Sequence, residues 1–181
     1  MNIQHNMKEL ILGGIKSGKS RHAEQRAQDS GLNVIYIATA TAQDNEMQRR
    51  ILVHQQQRNG NWGLIEEPVK LADTIKQHAS ENTCLLIECL TLWLTNLLCL
   101  DNETIFKQER QSFLDAIEDA PGKIIIVSNE TSMGVVPLGE LSRRFCDEAG
   151  LLHQQLAQLC DRVDLITAGL TQTLKGKTHE M

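Results

Sequence analysis

The chain has 181 residues, 41% of them hydrophobic and 23% charged, so it is long enough to fold as one domain, residues 1–181, around a core that needs neither disulfides nor metals. Its net charge of −5 argues against a general nucleic-acid or membrane binder, because such proteins carry broad patches of Lys and Arg. The N-terminal segment, MNIQHNMKELIL, lacks the apolar stretch of a signal peptide, and we expect a cytoplasmic protein.

Short aliphatic runs alternate with longer helical patterns along the chain. Strands that are apolar on both faces and separated by helices are typical of a parallel sheet covered on two sides. The pattern therefore predicts a three-layer α/β fold with a mainly parallel sheet. The predicted strands are residues 10–12, 34–38, 84–87, 124–127 and 163–167.

The first predicted strand runs into a glycine-rich loop and then a helical pattern, in the sequence KELILGGIKSGKS at 8–20. The glycines let backbone N–H groups surround phosphate oxygens, and the helix N-terminus adds a positive dipole end. Lys19 offers an ammonium to the outer phosphates, and Ser20 can ligate Mg²⁺. A chance Gly/Lys loop is the alternative, and the flanking strand and helix argue against it. The predicted nucleotide-binding residues of this phosphate cradle are Gly13, Gly14, Ile15, Lys16, Ser17, Gly18, Lys19 and Ser20.

The segment at 44–58, DNEMQRRILVHQQQR, is rich in helix formers and is predicted to be a helix. Residues four apart form one row on a helix. The row here consists of Glu46, Arg50, His54 and Arg58. One interpretation is a solvated face on which Glu46 pairs with Arg50. The other makes His54 a nucleophile, since a neutral imidazole can attack phosphorus while the two arginines hold phosphate charge. The spacing leaves both open.

Polar residues end two of the predicted strands. Glu88 follows an apolar strand, which is where P-loop proteins place the acid that orders Mg²⁺ or its water, although it could be a simple strand terminus. Asn129 and Glu130 end the next strand, and the carboxyl ends of parallel strands are where such sheets bind ligands. These two residues could instead cap the following loop.

The five cysteines contain no CxxC pair, and two of them lie inside apolar runs. We therefore expect reduced residues of the core rather than metal ligands. They are Cys84, Cys89, Cys99, Cys146 and Cys160.

Taken together, these residues resemble the bifunctional adenosylcobinamide kinase/adenosylcobinamide-phosphate guanylyltransferase family of cobalamin biosynthesis. The similar motifs, in order, are GGIKSGKS at 13–20, YIATA at 36–40, the helix row, ECLTLWLTNLL at 88–98, SNE at 128–130, MGVVP at 133–137 and VDLITAGLTQTLK at 163–175. The chain departs from the common family pattern at four positions, where glycine, an acid, asparagine and aspartate are more usual. These are Ser132, Leu138, His153 and Glu88, respectively.

The resemblance implies a RecA-like P-loop fold, a homo-oligomer (a trimer) and two reactions. In the first, ATP or GTP phosphorylates the aminopropanol hydroxyl of adenosylcobinamide. In the second, GTP transfers GMP to His54 and releases pyrophosphate, and the corrinoid phosphate then collects the GMP to give adenosylcobinamide-GDP. The resemblance makes His54 and Lys19 catalytic, and makes Ser20 and Glu88 ligands of Mg²⁺. It adds four nucleotide-binding residues: Arg50, Arg58, Glu66 and Glu88.

Two rival functions remain open on the sequence. A single-activity small-molecule kinase would use the same cradle and never modify His54. A nucleotide-dependent binding module would hydrolyse slowly and act through a partner.

Overall fold

Seven strands form one sheet in the computed structural model, which describes residues 7–41 and 60–176. In chain order they are β1 (Lys8–Gly13), β2 (Asn33–Ala38), β3 (Gly63–Glu66), β4 (Thr83–Glu88), β5 (Lys123–Asn129), β6 (Arg162–Thr167) and β7 (Leu170–Lys175). Their order in the sheet is β3-β2-β4-β5-β1-β6-β7. All neighbouring pairs are parallel except β6 and β7. The predicted mainly parallel sheet is therefore confirmed.

Helices cover both faces of this sheet. They are α1 (Lys19–Gln28), α2 (Leu71–His78), α3 (Leu90–Cys99), α4 (Glu103–Asp119) and α5 (Glu140–Leu159). Successive strand residues point to opposite faces, so Leu10 and Leu12 belong to one core cluster and Ile11 to the other. The first cluster packs against α2 to α5, and the second packs against α1. This arrangement is the predicted three-layer α/β fold.

The largest buried side chains lie in the first of these clusters. Trp93 of α3 is packed against Phe113 of α4, with ring centroids 4.9 Å apart, and its indole Nε1 donates a 2.7 Å hydrogen bond to the carbonyl of Val69. A buried indole is stabilised by such a partner because the N–H would otherwise lose its hydrogen bond to water. Trp93 thus fixes α3 and α4 beneath the carboxyl end of the sheet.

The five strands predicted from the sequence all occur, each with one or more additional residues except at shared ends. The two edge strands, β3 and β7, were absent from the prediction. Most of their residues are exposed, so neither carries the apolar run that marks a buried strand. The predicted helix at 44–58, with its row of charged residues, lies outside the described residues.

The expectation for the cysteines is only partly right. All five are free, and Cys84 and Cys160 are buried, which raises the pKa of each thiol to about 12. Cys99 is exposed because it is the last residue of α3 and lies on the solvent side of that helix, so assigning it to the core was wrong. Cys89 and Cys146 are partly exposed.

None of the helices within 7–41 and 60–176 is long and apolar enough to cross a bilayer.

Candidate active site

The phosphate cradle joins the carboxyl end of β1 to the start of α1. At Gly13 a Cβ would lie 2.5 Å from Ser17 Oγ and 2.7 Å from the carbonyl of Ile166, so only glycine fits without a shift. Gly18 has φ +98°, a left-handed conformation that glycine adopts without strain, and it immediately precedes α1. The loop between these two residues is therefore shaped by close packing at one end and a backbone turn at the other.

The turn between β6 and β7 braces the cradle from outside. The backbone N–H of Gly169 donates to the carbonyl of Ser17 at 2.8 Å. A Cβ on Gly18 would lie only 3.4 Å from Gly169 Cα, so the two loops are in close contact. The cradle is thus held between its own strand and a second loop before any ligand binds.

The N-terminus of α1 is open for an anion. Its N-cap residue, Gly18, has no side chain to cap the helix, and its first turn contains no acidic residue. The first N–H groups of a helix that lack such partners favour negative charge, which the macrodipole reinforces. Lys19, the first residue of α1, donates from Nζ to the carbonyl of Gly14 at 3.3 Å, across the mouth of the cradle. The geometry suits a polyphosphate.

Glu88, at the end of β4, reaches the cradle directly. Its Oε1 accepts a short hydrogen bond from the hydroxyl of Ser20, and its Oε2 accepts one from the hydroxyl of Tyr36 at 3.1 Å. The sequence prediction paired Ser20 with Glu88 as metal ligands, and the structure brings these two oxygens into contact. Tyr36 was not among the predicted site residues.

The donor set at Ser20 and Glu88 fits Mg²⁺. This ion prefers oxygen ligands and is usually bound through one or two carboxylates together with substrate phosphates and waters. Within the described part of the chain no three His, Cys, Asp or Glu side chains cluster as a complete metal site. One hydroxyl and one carboxylate beside a phosphate cradle are what a metal shared with a nucleotide requires.

Thr39, just beyond β2, fixes the backbone that follows Glu88. Its buried hydroxyl donates to the carbonyl of Cys89 at 2.7 Å and accepts from the N–H of Cys89 at 2.9 Å. The N–H of Thr39 in turn donates to the carbonyl of Glu88 at 3.1 Å. Tyr36 and Thr39 both belong to the YIATA motif, and two hydroxyl residues in an aliphatic strand were the available signal for this role.

Glu130 serves mainly to hold the loop after β5. Its Oε1 accepts hydrogen bonds from the N–H of Ser132, at 2.6 Å, and from the Ser132 hydroxyl, so its loop-capping alternative is confirmed. His153 of α5 lies on the other side, with Nδ1 3.9 Å from Glu130 Oε2 and Nε2 2.8 Å from Ser128 Oγ. Burial lowers the pKa of His153, which Glu130 opposes. Two of the departures from the family pattern, Ser132 and His153, thus meet at one carboxylate.

The loop from 131 to 139 presents apolar side chains to solvent beside the cradle. Val135 is 95% exposed and Leu138 is 97% exposed. Arg143 braces the loop by donating from Nη1 to the carbonyls of Pro137, at 3.3 Å, and Leu138. Exposed apolar surface of this kind commonly marks a contact with a ligand or another protein.

A buried carboxylate anchors α1 to the last two strands. Asp164 of β6 accepts hydrogen bonds from Arg162 Nε at 2.8 Å and from the Thr173 hydroxyl at 2.9 Å, and its Oδ2 lies 3.1 Å from His22 Nε2. Burial opposes ionisation, but these hydrogen bonds lower the pKa of Asp164 to about 2. The helix that begins with Lys19 is therefore fixed to the sheet by its fourth residue, His22.

The remaining predicted residues are farther away or undescribed. Glu66 ends β3 and is exposed. It lies at the same carboxyl edge, since Ala38 pairs with both Glu66 and Glu88, but three strands separate β3 from β1. Arg50, His54 and Arg58 lie outside the described residues.

Comparisons with known proteins agree with one another. Residues 9–174 match the family model for cobinamide kinase / cobinamide phosphate guanyltransferase. The chain is 55% identical over 171 residues to the bifunctional adenosylcobalamin biosynthesis protein CobP of Pseudomonas aeruginosa, covering 94% of this chain and 99% of that protein. It is 37% identical over 179 residues to the bifunctional adenosylcobalamin biosynthesis protein CobU of Escherichia coli, covering 92% and 98%.

A solved structure shares the fold at low identity. The ATPase domain of a helicase superposes with a TM-score of 0.50 at 14% identity, covering 90% of this chain and 69% of that one. This likeness confirms the predicted RecA-like P-loop architecture.

Proposed function

The chain belongs to the cobinamide kinase / cobinamide phosphate guanyltransferase family and is a bifunctional enzyme of adenosylcobalamin biosynthesis, and we propose that its second reaction proceeds through a guanylylated His54. ATP or GTP is the proposed phosphoryl donor of the first reaction, and GTP is the proposed guanylyl donor of the second. Adenosylcobinamide is the proposed acceptor.

In the phosphoryl step, the aminopropanol hydroxyl oxygen attacks the γ-phosphorus of the triphosphate. The bond from that phosphorus to the β,γ-bridging oxygen breaks, the nucleoside diphosphate leaves, and the hydroxyl loses its proton. Lys19 and the N–H groups of the cradle balance the charge that develops on the phosphate oxygens. Ser20 and Glu88 would hold Mg²⁺, which when bound supplies further neutralisation of phosphate charge.

In the guanylyl step, an imidazole nitrogen of His54 attacks the α-phosphorus of GTP, and pyrophosphate leaves. An oxygen of the corrinoid phosphate then attacks the same phosphorus, the nitrogen–phosphorus bond breaks, and His54 is regenerated. Splitting one transfer into two displacements lowers each barrier. Support comes from the position of His54 between Arg50 and Arg58 on the predicted helix row, together with family membership.

The observation that carries the phosphotransfer chemistry is the contact between Ser20 and Glu88 at the uncapped start of α1. The most direct test of the histidine route is intact mass spectrometry after incubation with GTP and Mg²⁺. We expect the mass of the protein to rise by one GMP group. A protein that phosphorylates cobinamide but never gains this mass is a single-activity kinase, and one that turns over no cobinamide is a binding module.

We also propose that the chain assembles as a homo-oligomer, specifically a trimer. The apolar side chains exposed on the loop from 131 to 139, and those of Leu170 and Leu174 on the edge strand β7, support a partner surface. Sedimentation equilibrium should give three times the mass of the chain, and a monomer at micromolar concentration would contradict this proposal.

A further inference from the structure

We propose that the side chain of Asn129 binds the outer phosphate and the attacking hydroxyl together, and so positions the acceptor in the phosphoryl step. This inference rests on the proposed function, because it needs a hydroxyl acceptor at the cradle. The sequence left Asn129 between a ligand-binding role and a loop-capping role. The loop-capping role is fulfilled by its neighbour Glu130.

Asn129 lies directly beside the cradle. It is the last residue of β5, and its Cα is paired with that of Gly13 across the parallel ladder. The ladder continues one residue further, where the N–H of Glu130 donates to the carbonyl of Gly13 at 3.1 Å. By the alternation of the strand, Asn129 shares a face with Ile125 and Val127, the face that packs against α1. Its carboxamide is therefore on the side of the sheet from which α1 starts.

The carbonyl oxygen of this carboxamide has no partner. Asn129 Oδ1 is buried and accepts no hydrogen bond from any of the described residues. Its backbone does not share this state, since its N–H donates to the hydroxyl of Thr91 at 2.9 Å and so fixes the end of the strand. Buried polar atoms are almost always paired, and an exception calls for an explanation such as an absent ligand.

A second unpaired atom lies on the other side of Gly13. Within 7–41 and 60–176, three buried side-chain atoms lack a hydrogen bond: Asn129 Oδ1, Ser17 Oγ and Arg110 Nε. The first two flank Gly13, because Ser17 Oγ is 2.5 Å from where a Gly13 Cβ would be. The unsatisfied polar atoms are thus concentrated at the cradle. Asn96, by contrast, donates from Nδ2 to the carbonyls of Thr39 and Pro68 at 2.9 and 3.0 Å.

The chemistry of an unpaired carbonyl oxygen selects its partner. A phosphate oxygen is an acceptor and cannot satisfy it, whereas the hydroxyl of the aminopropanol group is a donor. The amide Nδ2 of the same carboxamide donates, and phosphate oxygens are suitable acceptors. One planar group can therefore hold the attacking oxygen and the γ-phosphate in a fixed relation, which is how positioning accelerates a bimolecular transfer. The attack of His54 on GTP involves no hydroxyl, so it does not need this contact.

The test compares two reactions of Asn129→Ala. Phosphorylation of cobinamide is measured as kcat and KM, and the guanylyl half-reaction is measured as exchange of labelled pyrophosphate into GTP without any corrinoid. We expect kcat/KM for cobinamide to fall by roughly 10- to 100-fold, with exchange and GDP affinity within about 2-fold of wild type. Asn96→Ala is the matched control. It should lower stability while leaving the ratio of the two reactions unchanged.

Other outcomes decide against the proposal. An equal fall in both reactions would mean that Asn129 supports the cradle as a whole, for example by holding Lys19, and an unchanged kinase would mean that it contacts no substrate. If the wild type shows no pyrophosphate exchange, the histidine route fails separately. Asn129 is then judged by kinase kcat/KM against GDP affinity, and only a selective loss of the kinase supports its role.

Discussion

The hydroxyl of Tyr36 donates a 3.1 Å hydrogen bond to Oε2 of Glu88, although the two residues are 52 positions apart in the chain. They meet because β2 and β4 are neighbours in the sheet. The other carboxylate oxygen is occupied by the Ser20 hydroxyl. Glu88 is therefore oriented from two sides, with one oxygen directed at the first turn of α1, where the metal of a nucleotide complex would lie.

We predict that Tyr36→Phe weakens the use of Mg²⁺ while leaving the fold intact. The ring stays in the core, but Glu88 loses one of its two donors and gains freedom to rotate. The Mg²⁺ concentration for half-maximal kinase activity should rise several-fold, and the free energy of unfolding should fall by about 0.5–1.5 kcal/mol. Activity is measured against Mg²⁺ concentration at saturating nucleotide. An unchanged Mg²⁺ dependence would show that Tyr36 only packs in the core.

Glu88→Gln should be more severe than Tyr36→Phe. The amide keeps the size of the side chain but removes the charge that attracts a divalent cation. We expect kcat to fall by on the order of 100-fold in both reactions, with nucleotide affinity in the absence of metal nearly unchanged. Kinetics and calorimetric titration with GDP separate these effects. A variant with normal Mg²⁺ dependence would reduce Glu88 to a strand terminus.

We predict that Lys19→Ala impairs both reactions. The ammonium of Lys19 lies across the mouth of the cradle, where it contacts the carbonyl of Gly14, so its loss leaves the outer phosphates and the transition-state charge without their main side-chain partner. Each kcat/KM should fall by about 100-fold or more. Lys16→Ala, in the same loop, is the control and should have a much smaller effect. Equal losses in the two variants would indicate a general electrostatic contribution.

The sequence was sufficient for the sheet interior and the cradle, because both leave local signals. Buried strands appear as aliphatic runs, and a phosphate loop appears as fixed glycine spacing. The edge strands β3 and β7 leave no such run, since little of them is buried. The contact of Tyr36 with Glu88 depends on strand order, which residue spacing does not encode.

The same limit explains the residues around Glu130. Ser132 is two positions away and its capping contact follows from local turn chemistry. His153, by contrast, reaches Glu130 only because α5 packs beside the end of β5. Sequence inspection could flag Asn129 and Glu130 as a pair, but only the hydrogen bonds divide them into a loop cap and an unpaired carboxamide.

A pH-dependent loss of stability should follow from Asp164. Its pKa of about 2 in the folded protein lies below the ordinary value of 3.8, so the stabilisation is present above pH 4 and is lost as the pH falls towards 2. His22 and Arg162 face this carboxylate. Asp164→Asn should reduce the free energy of unfolding by about 1–2 kcal/mol at pH 7, and its difference from wild type should shrink below pH 4.

Urea unfolding at pH 7, 5, 4 and 3 measures this difference. Asp115→Asn, at an exposed position on α4, is the control and should have little effect at any of these pH values. A deficit for Asp164→Asn that stays constant down to pH 3 would mean that packing, rather than the charge of Asp164, is what the substitution removes.

The last prediction is that His54 carries the GMP group. A guanylyl-histidine contains a nitrogen–phosphorus bond, which hydrolyses in acid and tolerates alkali, whereas a phosphate ester of Ser or Thr tends to do the reverse. The adduct should form with GTP labelled at the α-phosphate and not at the γ-phosphate, because pyrophosphate leaves in the first displacement. His54→Ala should lose the adduct and the transfer of GMP, yet retain phosphorylation of adenosylcobinamide, since that step needs no histidine intermediate. Two other histidines serve as controls: His22 is held by Asp164 beneath the cradle, and His153 is buried against Ser128. His22→Ala and His153→Ala should both keep the label. If the label persists in His54→Ala and disappears in His153→Ala, the nucleophile is His153, and the row of charged residues around His54 is a solvated helix face.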